Sequence, residues 1–197
     1  MITEFKEVFE NEETFKRIKT AIGTSRGAIM LLVHPFYGVG ITTRASKAYP
    51  QEYIEALRKA VKQKKLPIFI FQETGAGIFG REELLEGIDA TGREIIIVIT
   101  DSHDPTPHRK SFGELGRRMD GEQRKELFVK TLLDFGVKKI FIGGEYGRYL
   151  GRASPKEKTA IDPRGCVPGT LKFLEKYSSI ETVIMPKMLF HHSAQYI

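Results

Sequence analysis

Residues 66–80 read LPIFIFQETGAGIFG, an apolar run followed directly by a glycine-rich turn. The run from Leu66 to Phe71 is rich in isoleucine and phenylalanine and has the length of a buried strand. The glycines give the spacing G-x-G-x-x-G, and the segment Arg81 to Ile88 after them predicts a short helix. Strand, turn and helix in succession are typical of one unit of a parallel α/β sheet.

The same alternation of apolar runs and helical patterns continues along the chain. No run has a polar alternate face, as expected for strands that are covered on both sides. The helical patterns between the runs predict crossover connections and hence a shared strand direction. We therefore expect an α/β protein, a Rossmann-like three-layer α/β/α sandwich of about five mostly parallel strands. The predicted strands are Ala28 to Val33, Leu66 to Phe71, Glu94 to Thr100, Lys139 to Ile142 and Thr182 to Met185.

Particular residues mark where the predicted helices begin and end. Pro50 stands at a first-turn position, Asp120 and Gln123 form a capping-box pattern, and Gly136 is placed to stop the helix that follows them. A last helix is expected from about Pro168 to Tyr177.

The N-terminal segment from Ile2 to Ile22 carries apolar residues at helical intervals, which predicts a helix or a broken pair of helices. No linker or repeat divides the chain, so we expect residues 1–197 to form a single α/β domain with residues 1–23 as a helical segment packed on it. Two stretches, His103 to Met119 and Gly143 to Gly165, are predicted to be irregular. Long loops in compact domains are more often functional than idle.

Composition restricts the class of protein. The chain has 41% hydrophobic and 28% charged residues, a net charge of +6, and apolar stretches that are too short for a membrane span. Its one cysteine, Cys166, cannot form an internal disulfide and suits a reducing compartment, so we expect a cytoplasmic protein. The excess of basic residues allows an anionic partner, although it is small enough to arise from solvated helix faces, and the sequence shows no nucleic-acid-binding module.

Polar residues follow the predicted strands. Because parallel strands all end at one edge of a sheet, these residues should gather in one cleft. His34, His103 and Glu145 are the candidates for proton transfer there, since imidazole titrates near neutral pH and a carboxylate can fix its tautomer.

The glycine motif predicts a phosphate site. Gly75, Gly77 and Gly80 allow the backbone to approach a pyrophosphate, and the helix after them offers free N–H groups. Asp101 lies 21 residues after Gly80, about where a ribose hydroxyl would be bound. The stretch from Leu66 to Asp101 thus resembles half of a Rossmann-type dinucleotide-binding protein. Together with Arg148 in the basic stretch after the fourth predicted strand, it indicates a nucleotide-like or other anionic ligand, without naming a cofactor.

Cys166 supports a second hypothesis. It lies just before a predicted helix, where free N–H groups lower the pKa of a thiol. The stretch Gly165-Cys166-Val167-Pro168-Gly169-Thr170 is similar to the G-C-V-x-x-T stretch of isochorismatase-like cysteine hydrolases. This resemblance implies a nucleophilic Cys166 in a small-molecule hydrolase, whereas a cysteine that only packs beneath the helix is the structural alternative.

Two further readings stay open. Asp101, His103 and Asp104, with His34, Glu73 or Glu145, have ligand types that suit a divalent cation able to activate water, although their spacing matches no metal motif. The chain can instead be a non-catalytic binding or scaffold protein, including a homo-oligomer.

Overall fold

The computed structural model of the protein describes residues 1–35, 51–63, 65–74, 93–101, 104–148 and 165–192, and only the backbone of residues 51, 52, 54, 145–148 and 190–192. The described residues form six strands in one sheet, and every pairing in it is parallel. The strands are β1 (Ile2–Glu4), β2 (Ala28–Val33), β3 (Ile68–Glu73), β4 (Ile95–Thr100), β5 (Lys139–Arg148) and β6 (Glu181–His192).

Helices cover both faces of this sheet, which confirms the predicted Rossmann-like α/β/α class. The described helices are α1 (Glu7–Glu10), α2 (Glu12–Thr24), α3 (Gln51–Gln63), a 3₁₀ helix (Arg109–Arg118), α4 (Gly121–Asp134) and α5 (Cys166–Tyr177).

Side chains that alternate along the strands enter two separate cores, one on each face. Ile29, Leu31 and Val33 of β2 point into the core shared with α2, α4 and α5. Met30 and Leu32 point into the core shared with α3, which contributes Tyr53, Leu57 and Val61. The central strands are buried on both faces, which explains why they have no polar alternate side.

The strands are arranged in the order β1-β4-β3-β2-β5-β6. From β2 the chain first adds β3 and β4 on one side and then β5 and β6 on the other. If β2 is counted as the first strand, β4-β3-β2-β5-β6 is the order 3-2-1-4-5 of doubly wound sheets. The direction of growth therefore reverses between β2 and β5.

The first residues of the chain differ from their predicted helix. Ile2–Glu4 form the short edge strand β1, which pairs with β4 in the register Ile2↔Ile95. Three residues carry no periodic pattern of their own, so the pairing comes from the open edge of β4. The helices α1 and α2 follow, and the Asn11 side chain caps α2 by accepting hydrogen bonds from the N–H groups of Glu13 and Thr14.

An aromatic cluster holds this N-terminal segment to the sheet. Phe5 is fully buried, with ring centroids 5.4 Å from Phe9, 5.8 Å from Phe112 and 5.4 Å from Phe128. These partners come from α1, the 3₁₀ helix and α4. One side chain next to β1 therefore joins three helices, and aromatic pairs of this kind add to the hydrophobic stabilisation.

Two other predicted segments contain more regular structure than expected. The stretch His103 to Met119 holds the 3₁₀ helix, which is interrupted at Gly113 (φ 57°). The fourth and fifth predicted strands extend to Arg148 and His192, with irregular register between Ile142 and Gly144. The capping box of Asp120 and Gln123 is confirmed.

Strands β2 and β5 are in close backbone contact at Val33 and Gly144. Gly144 has φ +124°, and a Cβ atom there would lie 1.9 Å from the carbonyl oxygen of Val33. Gly143, one residue earlier, would meet the Cβ of Met188 at 2.9 Å. Only glycine fits at position 144, for both steric and conformational reasons.

A pair of glycine substitutions tests this close approach. We expect Gly144→Ala to lower the free energy of unfolding by about 3 kcal/mol or more, because the new methyl group collides with backbone and the φ angle is unfavourable. In Gly23→Ala, the new methyl group on α2 meets no atom within 4 Å. The free energy of unfolding should rise by about 0.5 kcal/mol, because alanine favours a helix more than glycine does. Urea unfolding measures both, and a neutral Gly144→Ala would contradict the described backbone.

Candidate functional site

The carboxyl ends of β2 and β5 flank the point where the strand order reverses. Val33 is in register with Gly144, so His34, the residue after β2, emerges beside the glycine pair of β5. In doubly wound sheets, ligands bind in the crevice outside the strand ends at this position. The topology therefore selects the surroundings of His34 as the candidate site.

His34 has an unusual conformation. Its φ is +45°, one of two positive values among the described non-glycine residues, and its side chain is 3% exposed. A residue with a side chain costs about 1 kcal/mol or more in this region. Backbone strain of this kind persists only where the surroundings impose it, and it is found preferentially at functional sites.

Three hydrogen bonds hold the segment at His34. The His34 N–H donates to the carbonyl oxygen of Phe71 at 3.1 Å. The ring Nε2 is hydrogen-bonded to Oγ1 of Thr100 at 2.7 Å, across the end of β3. Tyr53 of α3 donates its hydroxyl to the carbonyl oxygen of Pro35 at 2.8 Å, and burial raises the pKa of that hydroxyl, so it stays protonated. His34 is thus fixed before any ligand arrives.

Thr100, the last residue of β4, connects the ends of three strands. Besides its bond to His34, it accepts two hydrogen bonds at its carbonyl oxygen, from the N–H (3.0 Å) and the hydroxyl (2.5 Å) of Thr74. Thr74, the residue before the glycine motif in the sequence, therefore lies at the same sheet edge as Asp101.

Asp101 forms a two-pronged ion pair with Arg124 of α4. Nη1 donates to Oδ1 and Nη2 to Oδ2, each at 3.1 Å, and the two side chains are 32% and 12% exposed. Arg124 also donates to the carbonyl oxygens of Pro107 (2.7 Å) and Asp120 (3.2 Å). The carboxylate that was predicted to bind a ribose hydroxyl therefore also anchors the exit of β4 to α4. Its predicted ligand role stays a prediction.

The segment after β4 is held by short local bonds. The N–H of Asp101 donates to the carbonyl oxygen of Thr106 at 2.9 Å, and the N–H of Thr106 donates to Oδ1 of Asp104 at 2.6 Å. Asp104 therefore orders a turn, as aspartate before proline commonly does. Among the residues that the structure describes, no group of three or more His, Cys, Asp or Glu side chains is arranged to hold a metal ion.

Cys166 is the first residue of α5, two residues before the predicted start of the helix. Its side chain is 2% exposed and belongs to the core that also contains Val167 and Phe173. Its place among the apolar side chains of this core favours the packing role over that of a nucleophile.

The other predicted site residues fall partly or wholly outside the described residues. Glu145 and Arg148 lie in β5, where only their backbone is described. The residues for which neither backbone nor side chain is described are His103, Gly75, Gly77 and Gly80.

The strand order also bears on the glycine motif. In doubly wound sheets the phosphate-binding turn follows the first strand of the order, which here is β2. The motif of residues 75–80 instead follows β3, one strand away from the point of reversal. The sequence alone does not distinguish the position after β2 from the position after β3, because both follow apolar runs of the same length.

Sequence patterns assign no role to three residues in or beside the site. Thr100 is only the end of a predicted strand, and neither Arg124 nor His108 is singled out. Arg124 is 23 residues from Asp101, and no local pattern signals that pairing. The Gly143-Gly144 pair was the one available signal, since adjacent glycines within a strand indicate a close backbone approach.

No helix in the described ranges is long and apolar enough to cross a membrane. No protein-family model matches the sequence, and no curated protein matches it. Among solved structures, the chain is similar to that of the MAR1 ribonuclease from Caenorhabditis elegans, with 14% identity and a TM-score of 0.46 over 85% of this chain and 67% of the other. At this level of similarity, neither activity nor site residues are carried over to this chain.

His108 gives a pH-dependent contribution to stability. It caps the 3₁₀ helix by accepting a hydrogen bond at Nδ1 from the N–H of Lys110, at 3.2 Å. Burial lowers its pKa from the ordinary value of 6.5; Asp101 opposes this shift, and Arg124, Arg109 and Lys110 add to it. The unfolded chain therefore binds a proton at His108 more readily than the folded chain does. The contribution of His108 to stability is complete above its pKa in the unfolded chain and is lost as the pH falls through its pKa in the folded chain.

We expect His108→Asn to lose less of its free energy of unfolding than the wild type as the pH falls through this range, because asparagine is a good cap and does not titrate. Urea unfolding at a series of pH values from neutral to mildly acidic measures the difference. Identical pH profiles for the variant and the wild type would contradict this role of His108.

Proposed function

We propose that this chain binds a nucleotide-like or other anionic small molecule at the carboxyl edge of its parallel sheet, in the crevice between β2 and β5. The observation that carries the proposal is the buried His34, held in left-handed backbone at the reversal of the strand order. Strained backbone of this kind is found preferentially at functional sites, which supports a role in binding for this histidine.

The charge of the chain favours an anion as the ligand. Its net charge is +6, and the stretch 148–164, which begins at the last residue of β5, contains five basic residues and two acidic ones, Glu157 and Asp162. Asp101 lies at the same sheet edge, but its charge is compensated by Arg124 at 3.1 Å. We therefore expect the ligand in the crevice beside His34 to be an anion, attracted by the basic character of the chain.

If chemistry follows binding, His34 is the proposed proton-transfer group. Its ring is fixed by the hydroxyl of Thr100, which sets the orientation that general acid or base catalysis needs. Hydrolysis through Cys166 or through a metal ion has no comparable support among the described residues. A cytoplasmic location, with Cys166 kept reduced, belongs to the same proposal.

His34→Asn tests the proposal. Asparagine tolerates the left-handed backbone but lacks the imidazole, so the fold should be retained. With ATP, NAD⁺ and inorganic phosphate as probes, calorimetric titration should show that the wild type binds at least one of them. His34→Asn should weaken that binding about tenfold or more, as expected for loss of a hydrogen bond to a charged group.

Lys130→Gln serves as the matched control, because Lys130 is exposed on α4. It should bind the same probe as tightly as the wild type. If His34→Asn unfolds, Thr100→Val removes the partner of the ring instead and should also weaken binding. The proposal fails if no probe binds, or if His34→Asn and Thr100→Val both bind like the wild type.

A further inference from the structure

A second candidate site is a groove between α4 and α5, beside the turn that follows β4. Its volume is 280 Å³, and its lining includes Pro105, Phe173 and three lysines, Lys125, Lys172 and Lys176. Two acidic residues, Asp104 and Glu122, also line it. The lining therefore carries one net positive charge beside apolar surface.

Glu122 of α4 organises the rim of this groove. Its Oε2 accepts hydrogen bonds from Lys176 (2.6 Å) and from the hydroxyl of Tyr177 (2.7 Å), and its Oε1 accepts one from Lys125 (2.9 Å). These bonds from Lys176, Lys125 and Tyr177 lower the pKa of Glu122 to about 2, so the carboxylate stays ionised. One negative charge thus orients two ammonium groups and leaves an excess of positive charge.

Lys172 is the available cation of the groove. It is exposed on α5, and within the described ranges no acidic side chain forms an ion pair with it. Its neighbour Phe173 is a nearly buried aromatic side chain that lines the groove. A lysine without a partner beside an aromatic side chain suits a ligand that joins an anionic group to an apolar one.

Gly169 forms part of the end wall of the groove. A Cβ atom at this position would lie 2.9 Å from Cγ of Pro105, so only glycine lets the turn after β4 pack this closely on α5. The turn itself is ordered by the bond from the Thr106 N–H to Asp104. The wall is thus formed by two elements whose positions are set independently of any ligand.

We propose that this groove binds a small molecule that carries a phosphate or carboxylate group next to an aromatic or apolar part, with Lys172 as the main contact to the anion. Phe173 and Pro105 contact the apolar part. The Lys125-Glu122-Lys176 cluster shapes the rim and adds to the attraction at longer range. This site is separate from His34 and does not depend on the function proposed above.

Backbone NMR titration of the full chain tests the groove. Phenyl phosphate and benzoate are the probes for the two anionic groups, and benzyl alcohol is the neutral analogue. We expect saturable shifts of the amides of residues 169–176 with at least one anionic probe. Benzyl alcohol should bind at least about tenfold more weakly than that probe. Tighter binding of phenyl phosphate would assign a phosphate, and tighter binding of benzoate a carboxylate.

The variants separate this site from other surface charges. Lys172→Gln should weaken binding of the preferred probe about fivefold, as expected for one charge-assisted contact, whereas Lys130→Gln on α4 should leave it unchanged. Groove binding is followed only at the amides of residues 169–176, and crevice binding by the effect of His34→Asn, so failure here is distinguishable from failure of the crevice proposal. Absence of saturable shifts at residues 169–176, equal binding of benzyl alcohol, or wild-type affinity in Lys172→Gln would each overturn the inference.

Discussion

The contact between Val33 and Gly144 is the constraint on which the site depends. Because a Cβ atom at residue 144 would lie 1.9 Å from the Val33 carbonyl oxygen, β5 can approach β2 this closely only with glycine there. The approach sets the register in which Val33 faces Gly144. It also leaves His34 as the first residue beyond the paired strands, at the point where the sheet changes its direction of growth.

Polar groups continue outward from this contact in a connected series. His34 is bonded to Thr100, Thr100 to Thr74, and Asp101, the residue after β4, to Arg124. Buried polar groups are costly unless they are paired, and the bonds of this series tie the strand ends together. A rigid edge of this kind suits a preformed binding site, because little conformational entropy remains to be lost on binding.

The sequence predicted the strands well where burial determined them. β2 has the predicted limits, Ala28 and Val33, because its residues are apolar on both faces. β1 was missed because a three-residue edge strand has no period and owes its existence to pairing with β4. The start of α5 was displaced from Cys166 to about Pro168 because Gly165, the capping residue, offers no side-chain signal.

The candidate site was harder to predict, because its features depend on contacts between distant parts of the chain. His34 was recognised from its place after an apolar run, but its positive φ and its bond to Thr100, 66 residues away, follow from the packed sheet. Strand order is likewise a tertiary property, and it identifies the end of β2, more than the glycine motif after β3, as the expected ligand position. The pairing of Asp101 with Arg124 could not be read from spacing, because any of several helical arginines had the required charge.

A crystal structure of the full chain, soaked with whichever of ATP, NAD⁺ or inorganic phosphate it binds most tightly, would locate the ligand. We expect ligand density beside the end of β2, within hydrogen-bond distance of the His34 side chain or of the backbone at Gly144. Density confined to the amino edge of the sheet or to the outer helices, with the crevice beside His34 empty, would contradict this expectation.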